Sequence, residues 1–421
     1  MRLSVILRTL TFAALFAGLT TSSFAQIDFW RPYDQTGIGT FEPAKDQPTN
    51  PFDDVRVHIG GSFTQQYQGL SHENSGAVEL YDLGSGFNLA MANLNLDFQI
   101  EDGIRVSLEN YMSARHHSEF WVKGGYIQID KLPMFSNTDW FDRYFRVKIG
   151  HMEINYGDQH FRRSDGGNTI GNPFVGNYIM DAFTTEIGGE VYAFPTNNVM
   201  VMAGMTNGLI KGDVTNTTRK PSIYGKLAYD KQINDNTRFR LSGSVYMNSE
   251  SGRNTLFGGD RTGSRFYEVM ESAAAQGDFS GRINPGFSTN VSTWQVSPFV
   301  KVGGLEVFAT YEMASGYASS EGTKDKRTVS QLAVEGVYRF LPREQMYLGA
   351  RYNTVSGEIL AGNAADDLGV NRLEVAAGWY TTKNLLLKLS YVTQTYQNFP
   401  TDHIFEDGMF NGIMIEAAVG L

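Results

Sequence analysis

Charged side chains recur at alternate positions inside otherwise apolar stretches, and that spacing frames the chemistry open to this chain. Arg56, Arg105, Arg146, Lys148, Arg238, Arg240, Glu306, Glu312, Arg339, Arg351, Arg372 and Lys388 each sit beside an aliphatic or aromatic residue. Lys226, Lys301, Asp97, Glu109, Glu186, Glu190, Glu335 and Glu374 follow the same rule. Alternation gathers such charges on one face of a strand. Ions without water or partners cost several kcal/mol, so that face must be wet, internally paired, or both. A wet wall of mixed sign suits an aqueous channel, where rings of charge select among ions. About half of these residues are expected to pair across the wall as struts. The surplus of basic groups leans slightly toward anions.

A second group lies in the polar, glycine-rich stretch 151–183, where His160, Arg162, Arg163 and Asp165 could place charge at a constriction. The plainer reading leaves them facing solvent in an external loop. His116 and His117 with Glu119 form a compact metal-like cluster. A third ligand at fixed spacing is missing, so no metal site is assigned. The sequence holds no Gly-x-Ser-x-Gly elbow, no Walker loop and no Gly-x-Gly-x-x-Gly leading into a helix. The expectation is therefore a protein that is not an enzyme and carries no cofactor.

The elements that position these residues are short and regular. Between 372 and 396, Leu373, Val375, Ala377 and Trp379 alternate with Arg372, Glu374, Ala376 and Gly378. After the turn 381–384, Leu385, Leu387, Leu389 and Tyr391 alternate with Leu386, Lys388, Ser390 and Val392. A period of two marks strands, and arms of about 9–11 residues suffice to cross a bilayer when tilted. The same rhythm starts near 55–67 and 87–100, where a shift of phase predicts a bulge near Ala92. It continues to a last strand ending at Leu421, for sixteen strands in all. Tight turns such as 101–103, 195–198 and 303–304 alternate with longer loops such as 68–86 and 248–290. Short turns on one rim and long loops on the other predict an all-β, sixteen-stranded antiparallel transmembrane β-barrel.

Outside the barrel segment 55–421, residues 1–25 read as a secretory signal, with Arg2 and Arg8 before the apolar run 10–19 and Ala25 at the cleavage point. Residues 26–54 contain Pro32, Pro43, Pro48 and Pro51 and suggest an extended periplasmic leader, into which Phe29 and Trp30 bring aromatic rings able to dock. A helical turn is expected after Thr138, and Phe266, Val269, Met270, Ala273 and Ala274 at helical spacing predict a helix stopped by Gly277. The net charge of −10 makes nucleic acid an unsuitable partner. With no cysteine, disulfides and thiolate metal sites are excluded.

The run FRVKIGHMEINYG over residues 145–157, with Gly150 and Gly157, resembles the phosphate-selective porin O/P family and its relatives in Bacteroidetes-type outer membranes. The likeness spans roughly residues 90–200. It implies a trimeric sixteen-stranded channel in the bacterial outer membrane, surrounded by outer-membrane lipid and lipopolysaccharide. The family's phosphate site relies on clustered basic residues, and here only Arg162 and Arg163 stand together. Phosphate selectivity is accordingly not carried over. The expected function is passive diffusion of small polar solutes, the rival being a non-conducting barrel that scaffolds a surface assembly.

Overall fold

The computed structural model describes residues 27–112, 120–164, 168–208, 215–258, 265–272, 280–322, 324–362 and 367–421. The first half of the sheet holds β1 (Arg56–Glu73), β2 (Gly86–Glu101), β3 (Ile104–Met112), β4 (Trp121–Ile129), β5 (Phe145–Glu153), β6 (Thr185–Thr196), β7 (Val199–Thr206) and β8 (Ser222–Asn234). The second half adds β9 (Thr237–Asn248), β10 (Asn290–Val302), β11 (Leu305–Tyr317), β12 (Arg327–Phe340), β13 (Met346–Gly357), β14 (Leu368–Thr382), β15 (Leu385–Gln397) and β16 (Met409–Gly420). Each strand pairs antiparallel with the next. β16 returns to β1 in register from Ser62 opposite Gly420 to Glu73 opposite Met409. The barrel is closed and has no edge strand.

Alternation decides what faces where. On β14 and β15, Leu373, Val375, Trp379, Leu387, Leu389 and Tyr391 are exposed outward, while Arg372, Glu374, Lys388 and Ser390 are buried inward. The outward belt continues through Ile59, Val201, Leu227, Val296, Leu348 and Ile415. An apolar surface encircling the molecule is stable against hydrocarbon, not against water. Among the described residues no helix is long and apolar enough to cross a membrane, so the strands do the crossing.

The two rims differ as expected. Two-residue turns join β2 to β3, β6 to β7, β8 to β9, β10 to β11 and β14 to β15. The opposite rim carries the long segments 154–184 and 249–289. The turn at Thr138 does open a helix, α1 (Asp139–Tyr144), whose first turn holds Asp139 and Asp142 where the helix dipole favours negative charge.

Some expectations need correction. The β2 bulge lies between Leu89 and Met91, which pair with consecutive β1 residues, rather than at Ala92. The helix anticipated at Phe266 is not formed over residues 265–272. Phe266 makes an isolated bridge to Ser280, and Glu268 and Met270 take positive φ. Phe266, Val269 and Met270 instead join one buried apolar cluster without forming a helix, with Phe266 packed on Phe410. Residues 1–25, His116, His117, Glu119, Asp165, Ala273, Ala274 and Gly277 lie outside the described residues.

Val375 sits at the middle of β14 on the exposed face. Val375→Arg is expected to cost about 2–4 kcal/mol, as a cation at mid-bilayer does. A urea titration of folding into lipid measures it.

Candidate functional site

Three pieces of chain meet inside the barrel: the wall, the segment 154–184 after β5, and residues 27–54 ahead of β1. The segment 154–184 turns inward at Gly157, whose φ of +72° and proximity to the Gln295 side chain leave no room for a Cβ. Almost all its described residues are then buried. Having no ladder, its backbone is satisfied by wall side chains. The N–H groups of Val175, Ile179 and Met180 donate to Glu374 Oε1, Asn353 Oδ1 and Gln331 Oε1 at 3.0, 2.7 and 2.9 Å. Arg351 and Arg372 donate to the Gly176 and Asn177 carbonyls at 2.7 and 2.6 Å. Lys388 Nζ donates to the Phe174 carbonyl at 3.2 Å.

The constriction residues that are described all lie inside the barrel, and each is held. Arg162 bridges Glu306 at 2.7 Å and Glu335 at 2.6 Å. Burial alone would lower its pKa, but those two carboxylates raise it above the ordinary arginine value. Arg163 pairs with Asp181 at 3.0 Å. His160 meets Glu153 through Nδ1 at 2.8 Å and Asn155 through Nε2 at 3.0 Å.

Residues 27–54 do not extend away from the barrel. They fold into its tight-turn mouth, and the Phe29 and Trp30 rings dock there: Phe29 is buried, and the Trp30 ring lies tilted against His58 with centres 4.3 Å apart. Lys45 reaches Asp130 at 3.2 Å, and Glu42 lies 2.7 Å from both Lys226 and Arg240. Asp158 from the inward segment joins them, 2.7 Å from Lys226 and 2.8 Å from Arg240. Burial opposes ionisation of Glu42, yet Arg240 and Lys226 outweigh it and hold the carboxyl down to about 2. Burial likewise opposes ionisation of Asp158, and the same two cations hold it well below the usual carboxylate range.

All twelve wall residues singled out in the sequence point inward, but more of them are struts than half. Ten have a carboxylate or cationic partner within 4.0 Å: Arg56, Arg105, Arg146, Lys148, Arg238, Arg240, Glu306, Arg339, Arg351 and Lys388. Register supplies several pairs directly, since Lys148 faces Glu190, Arg351 faces Glu335 and Lys388 faces Glu416 across neighbouring strands. Arg372 rests instead on Gln394 and backbone carbonyls, and Glu312 accepts from Tyr156 Oη at 2.9 Å. Most of these partners belong to the wall itself, and the inward segment adds Asp158 for Arg240 and Arg162 for Glu306.

Among the spaces left open is a cavity of about 150 Å³ against β3 to β6, in a recess that opens to solvent. Trp30, Arg31, Tyr33, Arg105, Glu109, Tyr126, Arg146, Lys148, His151, Glu153, His160 and Phe161 are among its lining. Arg31 donates to the Phe161 carbonyl at 2.8 Å and to Asn168. Burial pulls its pKa down to about 10, against the attraction of Glu153. Lys148 stands 3.6 Å from Glu190 and 4.5 Å above the Tyr126 ring. The sequence reading missed Arg31, Glu42, Lys45, Asp158 and Asp181. The aromatic residues spaced through 29–41 were the available signal that the leader docks.

No family model and no curated protein matches the chain. Solved structures do. An anion-selective porin from Comamonas acidovorans superposes with a TM-score of 0.56 at 10% identity, covering 87% of this chain and 100% of that one. The fold is that of a bacterial outer-membrane β-barrel. OmpT of Vibrio cholerae in its trimer form gives 0.52 at 12% identity, covering 88% and 100%. The outer membrane channel DcaP of Acinetobacter baumannii gives 0.52 at 11%, covering 87% and 98%. At these identities the likeness is one of fold, and the apolar belt with a charged interior places the chain in the bacterial outer membrane.

Two outcomes are expected. Arg162→Ala leaves Glu306 and Glu335 short of a buried partner and should cost about 3–5 kcal/mol, read from thermal unfolding in detergent. The depressed Glu42 carboxyl stabilises the docked leader fully above the ordinary carboxylate range. As pH falls from about 4.5 toward about 2 that stabilisation drains away. A spin label on Ala44→Cys should therefore gain mobility over that window and not above it.

Proposed function

We propose that this chain is an outer-membrane porin through which small hydrophilic solutes diffuse passively. The observation that carries the reading is the polar cavity left beside the inward segment, within a barrel of sixteen strands. A barrel of that size is wide enough for an aqueous channel. An inserted segment narrows it, and the free space runs along a wall of mixed charge. Ion pairing cancels most of that charge, so selectivity falls to the groups facing the cavity. Arg31, Arg105, Arg146 and Lys148 line it with Glu42, Glu109 and Glu153, and this small surplus of cations supports a slight preference for anions.

Phosphate selectivity is not adopted, because Arg162 and Arg163 already spend their charge on Glu306, Glu335 and Asp181. Assembly as a homotrimer is part of the proposal, supported by the trimer form of one fold neighbour. The subunit contact would take part of the outward apolar belt. Lipid and lipopolysaccharide would cover the remainder, and no reaction is assigned to the chain.

A second reading has its own observation. Residues 27–54 and 154–184 fill much of the lumen, which favours a non-conducting barrel serving as scaffold in a surface assembly. Planar-bilayer recording under a salt gradient separates the two. The porin reading expects discrete conductance steps and a small reversal potential of anionic sign. Silent, correctly folded protein that co-purifies with a stoichiometric partner would replace it with the scaffold.

A further inference from the structure

We propose that residues 28–45 are a displaceable plug closing the tight-turn mouth of the pore, a gate that rests on the porin reading above. The argument begins with where the segment is held. Asp28 N–H donates to Gln99 on β2 at 3.1 Å, and Arg238 on β9 donates to the Gly39 carbonyl at 2.7 Å. In a closed ring of sixteen strands, β2 and β9 stand nearly half a circumference apart. The chain between and beyond these points enters the opening, where Arg31 donates to the Phe161 carbonyl of the inward segment at 2.8 Å and Phe41 packs against Phe161 and Phe299. Between Asp28 and Gly39 it meets a third sector of the rim, where Gln35 N–H donates to the Lys383 carbonyl at 2.8 Å and its side chain to the Arg343 carbonyl at 3.0 Å.

The way it is held suits release. Its regular structure is a single short turn, Gln35–Gly37, and it adds no strand to the sheet. Most of its anchors are polar: the ion pairs of Lys45 with Asp130 and of Glu42 with Lys226 and Arg240, beside hydrogen bonds made by Asp28, Trp30, Arg31, Tyr33, Gln35 and Gly39. Phe29 and Phe41 supply the buried apolar contacts. Between plug and β1, residues 46–51 are exposed and include Pro48 and Pro51, a tether about which the segment can swing out while the barrel stays intact. Barrel closure does not use the plug, because β1 pairs with β2 from Arg56 and with β16 from Ser62. Removing the segment would uncover the cavity from the mouth side, since Trp30, Arg31, Tyr33 and Glu42 are part of its lining.

Single-channel recording on the full-length protein and three variants tests the gate. One variant lacks residues 28–45. A second, Glu42→Gln with Lys45→Gln, removes the anchors without deleting chain, and stands in if the deletion fails to insert. The third, Lys45→Cys with Asp130→Cys, is joined by a short bifunctional thiol reagent, which in a chain without other cysteines ties the plug in place. The expected result is a several-fold larger unitary conductance for the deletion, a higher open fraction for the anchor variant, and loss of openings once the tether is made. If the wild type conducts and all three variants match it, the plug is wrong and the porin reading stands. If wild type and deletion are both silent, plug and porin reading fall together.

Discussion

Inside hydrocarbon a backbone N–H or C=O finds no water, and each one left unpaired costs several kcal/mol. The pairing of β16 with β1 is the step that removes the last unpaired edge, and the architecture follows from it. A closed sheet has an inside and an outside and no other surface. Period-two alternation then sends Leu389 and Val375 to lipid, and Lys388 and Glu374 to the lumen, without further instruction.

The lumen has its own constraint. The segment 154–184 enters without a strand partner, so its carbonyls and N–H groups depend on side chains of the wall. Arg351, Arg372, Lys388, Glu374, Asn353 and Gln331 meet that need, which gives the inward polar face a structural task beside any role in permeation. Charges drawn together in a space with little water must pair. Where the register sets opposite signs side by side, as at Arg351 and Glu335, the pair forms within the wall. Elsewhere the inserted segments bring the partner, as Arg162 does for Glu306.

The interior is consequently asymmetric. The inward segment is held by β12 to β15, through Gln331, Arg351, Asn353, Arg372, Glu374 and Lys388, while space remains along β3 to β6 and at the tight-turn mouth beside β9 to β12. This divides the work between two halves of one wall, the first holding the insert in place and the second offering a wet surface. Net selectivity then reflects the small imbalance among cavity groups rather than the sum of inward charges. Counting every inward arginine and lysine overstates the pull on anions, because most are neutralised within hydrogen-bonding distance.

Strand number, closure and facing were legible in the sequence because each depends on neighbours two residues apart. The inward position of the twelve charged residues, the helix after Thr138 and the long segment after β5 came from the same local signals. The β2 bulge was placed within about two residues, since a phase shift shows that an extra residue exists more sharply than where it sits. The apolar spacing near Phe266 misled, because a helical pattern also arises where side chains join one buried cluster without forming a helix. The sequence by itself determined a ribbon with one greasy face and one charged face. Only the tertiary structure decided which charges would meet and what would fill the centre. Glu42 and Arg240 are 198 residues apart, and Arg162 and Glu335 are 173 apart, distances over which no local pattern carries information. Their pairing is fixed by closure of the ring and by the cost of leaving either charge alone in a space that has lost its water.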